Sequence, residues 1–322
     1  GMLVQLMLPI GSVALLLVTL LFGANKAFSR TPIGLLHVML TKTLPEAVGA
    51  GIICIIGRRN ADACHTAADF LVNGRHPLVQ IFFLILVAGG AGVFTMETWH
   101  RIPNASAGAI HHLLIPAAVG TCLGTFYLAC TVSPGIVTPE NVAQHVQRYD
   151  YDYLIFKPTV CRTCGIVKPA RSKHCSICNV CISRCDHHCA WINNCVGYAN
   201  HRWFIAFLLA VTTMCFYGAW LGSKILRMDW SLFRVHDLRT IDKLTGLRRS
   251  LTWSEAWLFI ISRDVLLSSV TIFAAICGVI VLVFALYNLN MILHGFTANE
   301  KFKWEDLQAD ITDGYLTSIP RS

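Results

Sequence analysis

Apolar positions in this chain gather into long runs almost free of charge, and polar residues collect between them. Four runs, Pro77–Met96, Ala109–Val132, Trp203–Ile225 and Val265–Leu293, are long enough to cross a bilayer. About 20 apolar residues at 1.5 Å each span roughly 30 Å of hydrocarbon. A fifth run, Met2–Gly23, has the length and no charge, although Gln5 and Pro9 interrupt it. Pro32–Gly57 is apolar at both ends but carries Lys42, Pro45 and Glu46 in its middle. A charge near the centre of a span costs about 2.5–3.5 kcal/mol on insertion scales, so this stretch reads as interfacial or re-entrant. The pattern predicts an all-α polytopic membrane protein with five spans.

Lys26 and Arg30 follow Met2–Gly23, and no basic residue precedes it. That favours an uncleaved anchor with its N-terminus outside over a cleaved signal peptide. Parity then puts Ser133–Arg202 and the tail after Leu293 in the cytosol. Lys157, Arg162, Lys168, Arg171, Lys173 and Arg184 in the first of these agree. The Leu226–Asp264 loop conflicts, because it holds seven Lys/Arg and parity places it outside. The expected organisation is an anchor with a membrane-associated segment over 1–76, then a transmembrane hairpin over 77–132. A cytosolic cysteine-rich domain over 133–202 follows, then a second hairpin with an extracytosolic loop over 203–293 and a cytosolic tail over 294–322.

Charged residues make up only 14% of the chain, against roughly 25% in an average soluble domain, which agrees with a membrane protein. Of its 14 cysteines, eight fall between Cys161 and Cys195. In a loop facing the reducing cytosol, cysteines interleaved with histidines read as metal ligands rather than disulfides. A structural Zn2+ site closes with four sulfur or imidazole ligands. Keeping each Cys-x2-Cys pair together gives two interleaved sites. Cys161, Cys164, His174 and Cys181 form the first, and Cys175, Cys178, His188 and Cys195 the second. Cys185, His187 and Cys189 remain. With Asp186, the last two set an acid, a base and a thiol in one short turn between zinc-pinned ends, as an activated nucleophile requires. The spacing alone leaves open a purely structural zinc knob that binds protein or nucleic acid.

The stretch "PARSKHCSICNVCISRCDHHCAWINNCVGYANHRWF" closely resembles the cysteine-rich domain of the DHHC family of protein S-acyltransferases, the palmitoyltransferases. The match covers about Val160–Phe207. It implies two structural Zn2+ in a cytosolic zinc-binding domain between transmembrane helices, with the ligand division above and the active site at the membrane face. It further implies thioester exchange. Cys189 would take the acyl chain from palmitoyl-CoA and pass it to cysteines of membrane-associated substrate proteins. His187 would be the base and Asp186 its orienting carboxylate. Lys168 and Arg171 match family positions that contact CoA, and Lys173 is a weaker candidate. The expected partners are palmitoyl-CoA, membrane-associated proteins and the bilayer, with no nucleic acid. A multi-pass protein of the Golgi, endoplasmic reticulum or plasma membrane is expected, its active site cytosolic.

Two flanking motifs depart from the family pattern. "SPG" at Ser133–Gly135 stands where Asp-Pro-Gly is usual. "GFTANE" resembles a motif ending Thr-Thr-x-Glu, with Thr297 and Glu300 matching and Ala298 replacing the second threonine. In the family that threonine supports the active-site Asp through a hydrogen bond. Its replacement favours a rival reading, a catalytically silent zinc-containing scaffold that recruits partners. Trp191 is expected to pack near the nucleophile.

Overall fold

The computed structural model describes Thr19, residues 31–43, Phe70, and residues 74–104, 107–242 and 246–314. Apart from Thr19, the expected Met2–Gly23 anchor lies outside these residues, as does Pro32–Gly57 beyond Thr43. The chain divides into two units, Gly1–Gly74 with Leu251–Leu258, and Arg75–Ser250 with Phe259–Ser322. In the first, helix α1 (Pro32–Val38) starts where Thr31 accepts a hydrogen bond from Gly34 N at 3.4 Å, with proline just inside the helix. It runs into a π-type turn, Met39–Thr43.

The second unit carries, in chain order, α2 (Leu78–Thr98), α3 (His111–Thr131), a short α4 (Val142–Val146) and the long α5 (His201–Leu232). After helix α6 (Trp253–Arg263) come α7 (Val265–Leu293) and α8 (Ala298–Thr312). Four of the described helices, α2, α3, α5 and α7, are long and apolar enough to cross a membrane. Their outward faces are apolar too: Ile81, Phe82 and Ile85 on α2 and Val279 and Val283 on α7 are exposed. A helix that meets hydrocarbon on its outside needs no polar face. α5 outlasts its apolar run because nothing in Leu226–Leu232 breaks a helix, and it ends just before Arg234, whose φ is +48°.

α5 packs against both α3 and α7. It meets α7 tightly at Gly222, where a Cβ would lie 2.1 Å from the Thr271 hydroxyl, so glycine is needed there. At one end of the bundle Arg101 bridges Asp229 of α5 at 3.1 Å and Asp264, the N-cap of α7, at 2.5 Å. His111 opens α3 at that same end, its Nδ1 2.8 Å from the Tyr217 hydroxyl. At the other end, between α3 and α5, sits the cysteine-rich module.

The module is built from very short antiparallel strands. Ile136–Val137 (β1), Lys173–Cys175 (β2) and Val180–Ile182 (β3) form a sheet of order β1-β3-β2. His187–Cys189 (β4) and Asn194–Val196 (β5) form a separate hairpin. The reversals use residues with positive φ, among them Asn179 at +55° and Asn193 at +46°, a conformation asparagine tolerates well. Gly197 closes the second hairpin onto the sheet: a Cβ there would lie 2.5 Å from Pro134 O and 2.6 Å from Ile182.

Candidate active site and metal centres

Strand register sorts the expected metal ligands. β2 pairs with β3 so that His174 faces Cys181, and β4 pairs with β5 so that His188 faces Cys195. The reverse turns bring in the two Cys-x2-Cys pairs. Cys161, Cys164, His174 and Cys181 thus converge in one group, and Cys175, Cys178, His188 and Cys195 in another, all donor atoms of a group lying within 4.8 Å of one another. His174 Nδ1 is 3.6, 3.4 and 3.8 Å from Cys161, Cys164 and Cys181 Sγ. His188 Nδ1 is 3.7, 3.4 and 3.6 Å from Cys175, Cys178 and Cys195 Sγ. With Zn–S near 2.3 Å and Zn–N near 2.0–2.1 Å, the S···N edge of a tetrahedron is about 3.5 Å. Both quartets fit a tetrahedral ion, and each can hold one.

The same register answers how two adjacent histidines take different roles. Side chains alternate along a strand, so His188 points to its quartet while His187 and Cys189 share the opposite face. The expected short turn is therefore a β-strand, and its two-residue period is what sets His187 and Cys189 side by side. Asp186 precedes the strand and is buried. Its Oδ2 lies 2.6 Å from His187 Nδ1, and its Oδ1 accepts from the Ala298 backbone N–H at 2.8 Å. Phe204 meets the His187 ring edge-on with centroids 5.3 Å apart. Burial acts to lower the His187 pKa, but hydrogen bonds with Asp186 and Cys189 outweigh it and raise it to about 9. For Asp186 burial acts upward, and the bond to His187 wins, holding the carboxyl below its usual range. Burial instead pushes the neighbouring Cys185 thiol up to about 12, which keeps it protonated.

Ala298 is the first residue of α8, whose N-terminus is closed by a capping box between Thr297 and Glu300. The helix thus aims a backbone donor and its positive dipole end at Asp186. Glu300 also takes both Nε and Nη2 of Arg171, and Arg171 Nη2 bonds Gly295 O at 2.6 Å. Arg171, expected at CoA, is therefore engaged in holding α8 against the module. Lys168, the other expected CoA contact, is half-buried and lines a depression of about 450 Å³ together with Thr159, Arg162 and Thr163.

Cys189 sits where the module meets the bundle, 8% exposed, in one apolar cluster with Phe83, Phe126, Phe204 and Phe207. The turn after it buries Ile192 completely in that cluster. Trp191, in the same turn, is 47% exposed, its ring 6.4 Å from that of Phe82. Two polar side chains dock the turn. Gln80 of α2 donates to Ile192 O at 2.9 Å and to Cys130 Sγ at 3.3 Å. Asn194 donates to three carbonyls that end α3: Ala129, Cys130 and Val132, at 3.1–3.2 Å. Neither was marked by the sequence. A lone glutamine inside an apolar run was the one visible signal.

A family model described as DHHC palmitoyltransferase matches residues 155–305. The chain is similar to Palmitoyltransferase swf1 of Emericella nidulans, 34% identical over 323 aligned residues, covering 98% of this chain and 74% of that protein. Palmitoyltransferase swf1 of Schizosaccharomyces pombe is 31% identical over 299 residues, 91% of this chain and 78% of that protein. Palmitoyltransferase ZDHHC4 of Mus musculus is 36% identical over 151 residues, 47% and 44% of the two chains.

Proposed function

The chain belongs to the DHHC palmitoyltransferase family and is an integral-membrane protein S-palmitoyltransferase, and we propose that it works through an acyl-enzyme thioester on Cys189. The observation that carries this reading is the shared strand face of His187 and Cys189, with Asp186 clamped between His187 and the α8 N-terminus.

In the first half-reaction the Cys189 thiol gives its proton to His187 and its sulfur attacks the carbonyl of palmitoyl-CoA. CoA leaves as a thiolate and takes that proton back. In the second, His187 removes the proton of a substrate cysteine, whose sulfur attacks the Cys189 thioester and returns Cys189 as a thiol. Asp186 fixes the His187 tautomer, leaving Nε2 for this traffic, and stabilises the imidazolium each time it forms. The apolar cluster around Cys189 suits a chain that gains about 0.8 kcal/mol per buried methylene. The two quartets would hold structural Zn2+, whose ligand bonds pin both strands of the catalytic hairpin's surroundings.

Cations for the CoA phosphates converge beside the module. Lys303 of α8 is held below the usual lysine range by burial first and then by Lys168 and Lys173. An anion placed there would relieve that repulsion. We assign the phosphate contact to Lys168, with Lys173 and Lys303, and give Arg171 the clamp on Glu300. Because acyl-CoA is cytosolic, Cys189 faces the cytosol in this reading. The acceptors are cysteines of membrane-associated proteins in the Golgi, endoplasmic reticulum or plasma membrane.

Ala298 was the feature favouring a silent scaffold. Its backbone N–H supplies a hydrogen bond to Asp186 that needs no threonine hydroxyl. The deciding experiment incubates purified protein with palmitoyl-CoA and looks for a hydroxylamine-labile adduct on Cys189. Cys189→Ser should abolish the adduct and transfer while keeping two zinc ions per chain. An adduct that persists in this variant would remove Cys189 from the mechanism.

A further inference from the structure

Beyond α5, at the end of the bundle away from the cysteine-rich module, the chain forms a second hairpin, Arg239–Ile241 (β6) with Arg248–Ser250 (β7). Its register pairs Arg239 with Ser250, Thr240 with Arg249 and Ile241 with Arg248. Residues paired across an antiparallel ladder, and residues two apart, share a face. One face therefore carries Arg239, Ile241, Arg248 and Ser250, and all four are exposed. The opposite face carries Thr240 and Arg249, both half-buried, with Arg249 held by Asp242 at 3.4 Å.

The exposed face joins two features that ordinary water-facing hairpins keep apart. Ile241 lies open at 64% exposure between two arginines. Arg239 donates to the Ser250 hydroxyl at 2.9 Å, and among the described residues neither Arg239 nor Arg248 pairs with a carboxylate. Nor is the hairpin remote from the bilayer. α5, at 32 residues, is about 48 Å long, so its last turns project beyond roughly 30 Å of hydrocarbon. Only residues 233–238 separate α5 from β6, and Val235–Asp237 of these are coiled into a 3-10 turn, so the link reaches less than about 20 Å. An apolar side chain flanked by guanidiniums that pair with no described carboxylate, within reach of the headgroups, suits phosphate-bearing lipid: arginines on the phosphates, isoleucine toward the acyl boundary.

We propose that the Arg239–Ile241/Arg248–Ser250 hairpin is a membrane-surface contact that lays its Arg239–Ile241–Arg248 face on anionic lipid headgroups. This also gives a physical reason for the Lys/Arg excess in a loop that the charge rule leaves unexplained. The site is independent of the acyltransferase reading, since it lies at the opposite end of the bundle from Cys189.

The test uses full-length protein in lipid nanodiscs of phosphatidylcholine alone or with added phosphatidylserine, and measures hydrogen–deuterium exchange across residues 239–250. Exchange should slow by about tenfold when phosphatidylserine is present. The slowing should vanish in an Arg239→Gln/Arg248→Gln double variant, and also in the unaltered protein at high salt, which screens the contact without any substitution. Equal exchange in both lipids, as for a hairpin lying in open water or awaiting a protein partner, would overturn the proposal. So would a phosphatidylserine effect that survives both the double variant and salt.

Discussion

The strands of the cysteine-rich module are two or three residues long, whereas the four membrane-capable helices run from 21 to 32 residues. The helices close most of their backbone hydrogen bonds internally and pack by apolar contact, which is strong in sum but weakly directional. The strands are too short to persist alone, and their positions rest on directional contacts: side-chain caps, a few ladder bonds and two Cys/His quartets that can each hold an ion. The Cys189 thiol belongs wholly to neither region. Its backbone is set by the module and its surroundings by the bundle. Polar contacts join the two, among them Gln80 to Ile192, Asn194 to the end of α3, Arg171 to Glu300 and the Ala298 amide to Asp186. Placing a thiol to within bonding distance of a base needs direction, and apolar packing alone does not supply it.

Substitutions that remove the module's own order should act hardest. His188→Ala should lose one zinc per chain by elemental analysis, unfold the catalytic hairpin and abolish transfer, because ligand bonds supply most of the stability of so small a module. Retention of two zinc ions would show that the quartets are wrongly drawn. The helices should keep their circular dichroism signal, since their backbone bonds do not pass through the module.

Removing the base tests chemistry with the scaffold left standing. His187→Ala should slow Cys189 acylation by about 10²–10⁴-fold, the usual worth of a positioned base, with the zinc content unchanged. Alkylation of Cys189 at neutral pH should fall with it, toward the few per cent thiolate of an unassisted cysteine. Zinc loss in this variant would mean that His187, not His188, is the ligand.

The junction can be cut at a single atom. Ala298→Pro deletes the N–H that binds Asp186 at a position where helices accept proline, and Thr297 already has the extended backbone a following proline requires. Loss of one hydrogen bond to a charged group costs about 1.5–3 kcal/mol, so transfer should drop by about tenfold or more. Ala298→Thr keeps the amide and should leave transfer near the parent level. Equal activity of the two variants would detach α8 from catalysis.

Gln80→Leu should have the smallest effect. It removes the hydrogen bond to Ile192 O, together with the weaker one to Cys130 Sγ, and leaves that carbonyl buried, at a cost of about 1–3 kcal/mol. A drop of a few degrees in the thermal midpoint with both zinc ions retained would fit. No change at all would mean that Ile192, buried in the apolar cluster, docks the turn unaided.

Much of this protein was legible in the order of its residues. The four described spans follow from unbroken apolar runs, because hydrocarbon demands internally satisfied backbone over a set length. The grouping of eight ligands into two quartets follows from paired Cys-x2-Cys spacing, since two cysteines three apart can share one ion. What residue order did not contain is direction. His187 and His188 are neighbours of identical chemistry, and only the pairing of β4 with β5 turns one to the metal quartet and the other to Cys189. Ala298 looked like a missing support for Asp186, because a hydroxyl is visible in a sequence and a backbone amide is not. That N–H becomes a partner only when α8 folds back and points its N-terminus at the carboxylate, a contact between residues 112 apart in the chain. Local spacing indicates which groups can share an ion. Which way each side chain faces, and which backbone atom completes the site, depends on long-range pairing and so was decided by the tertiary structure.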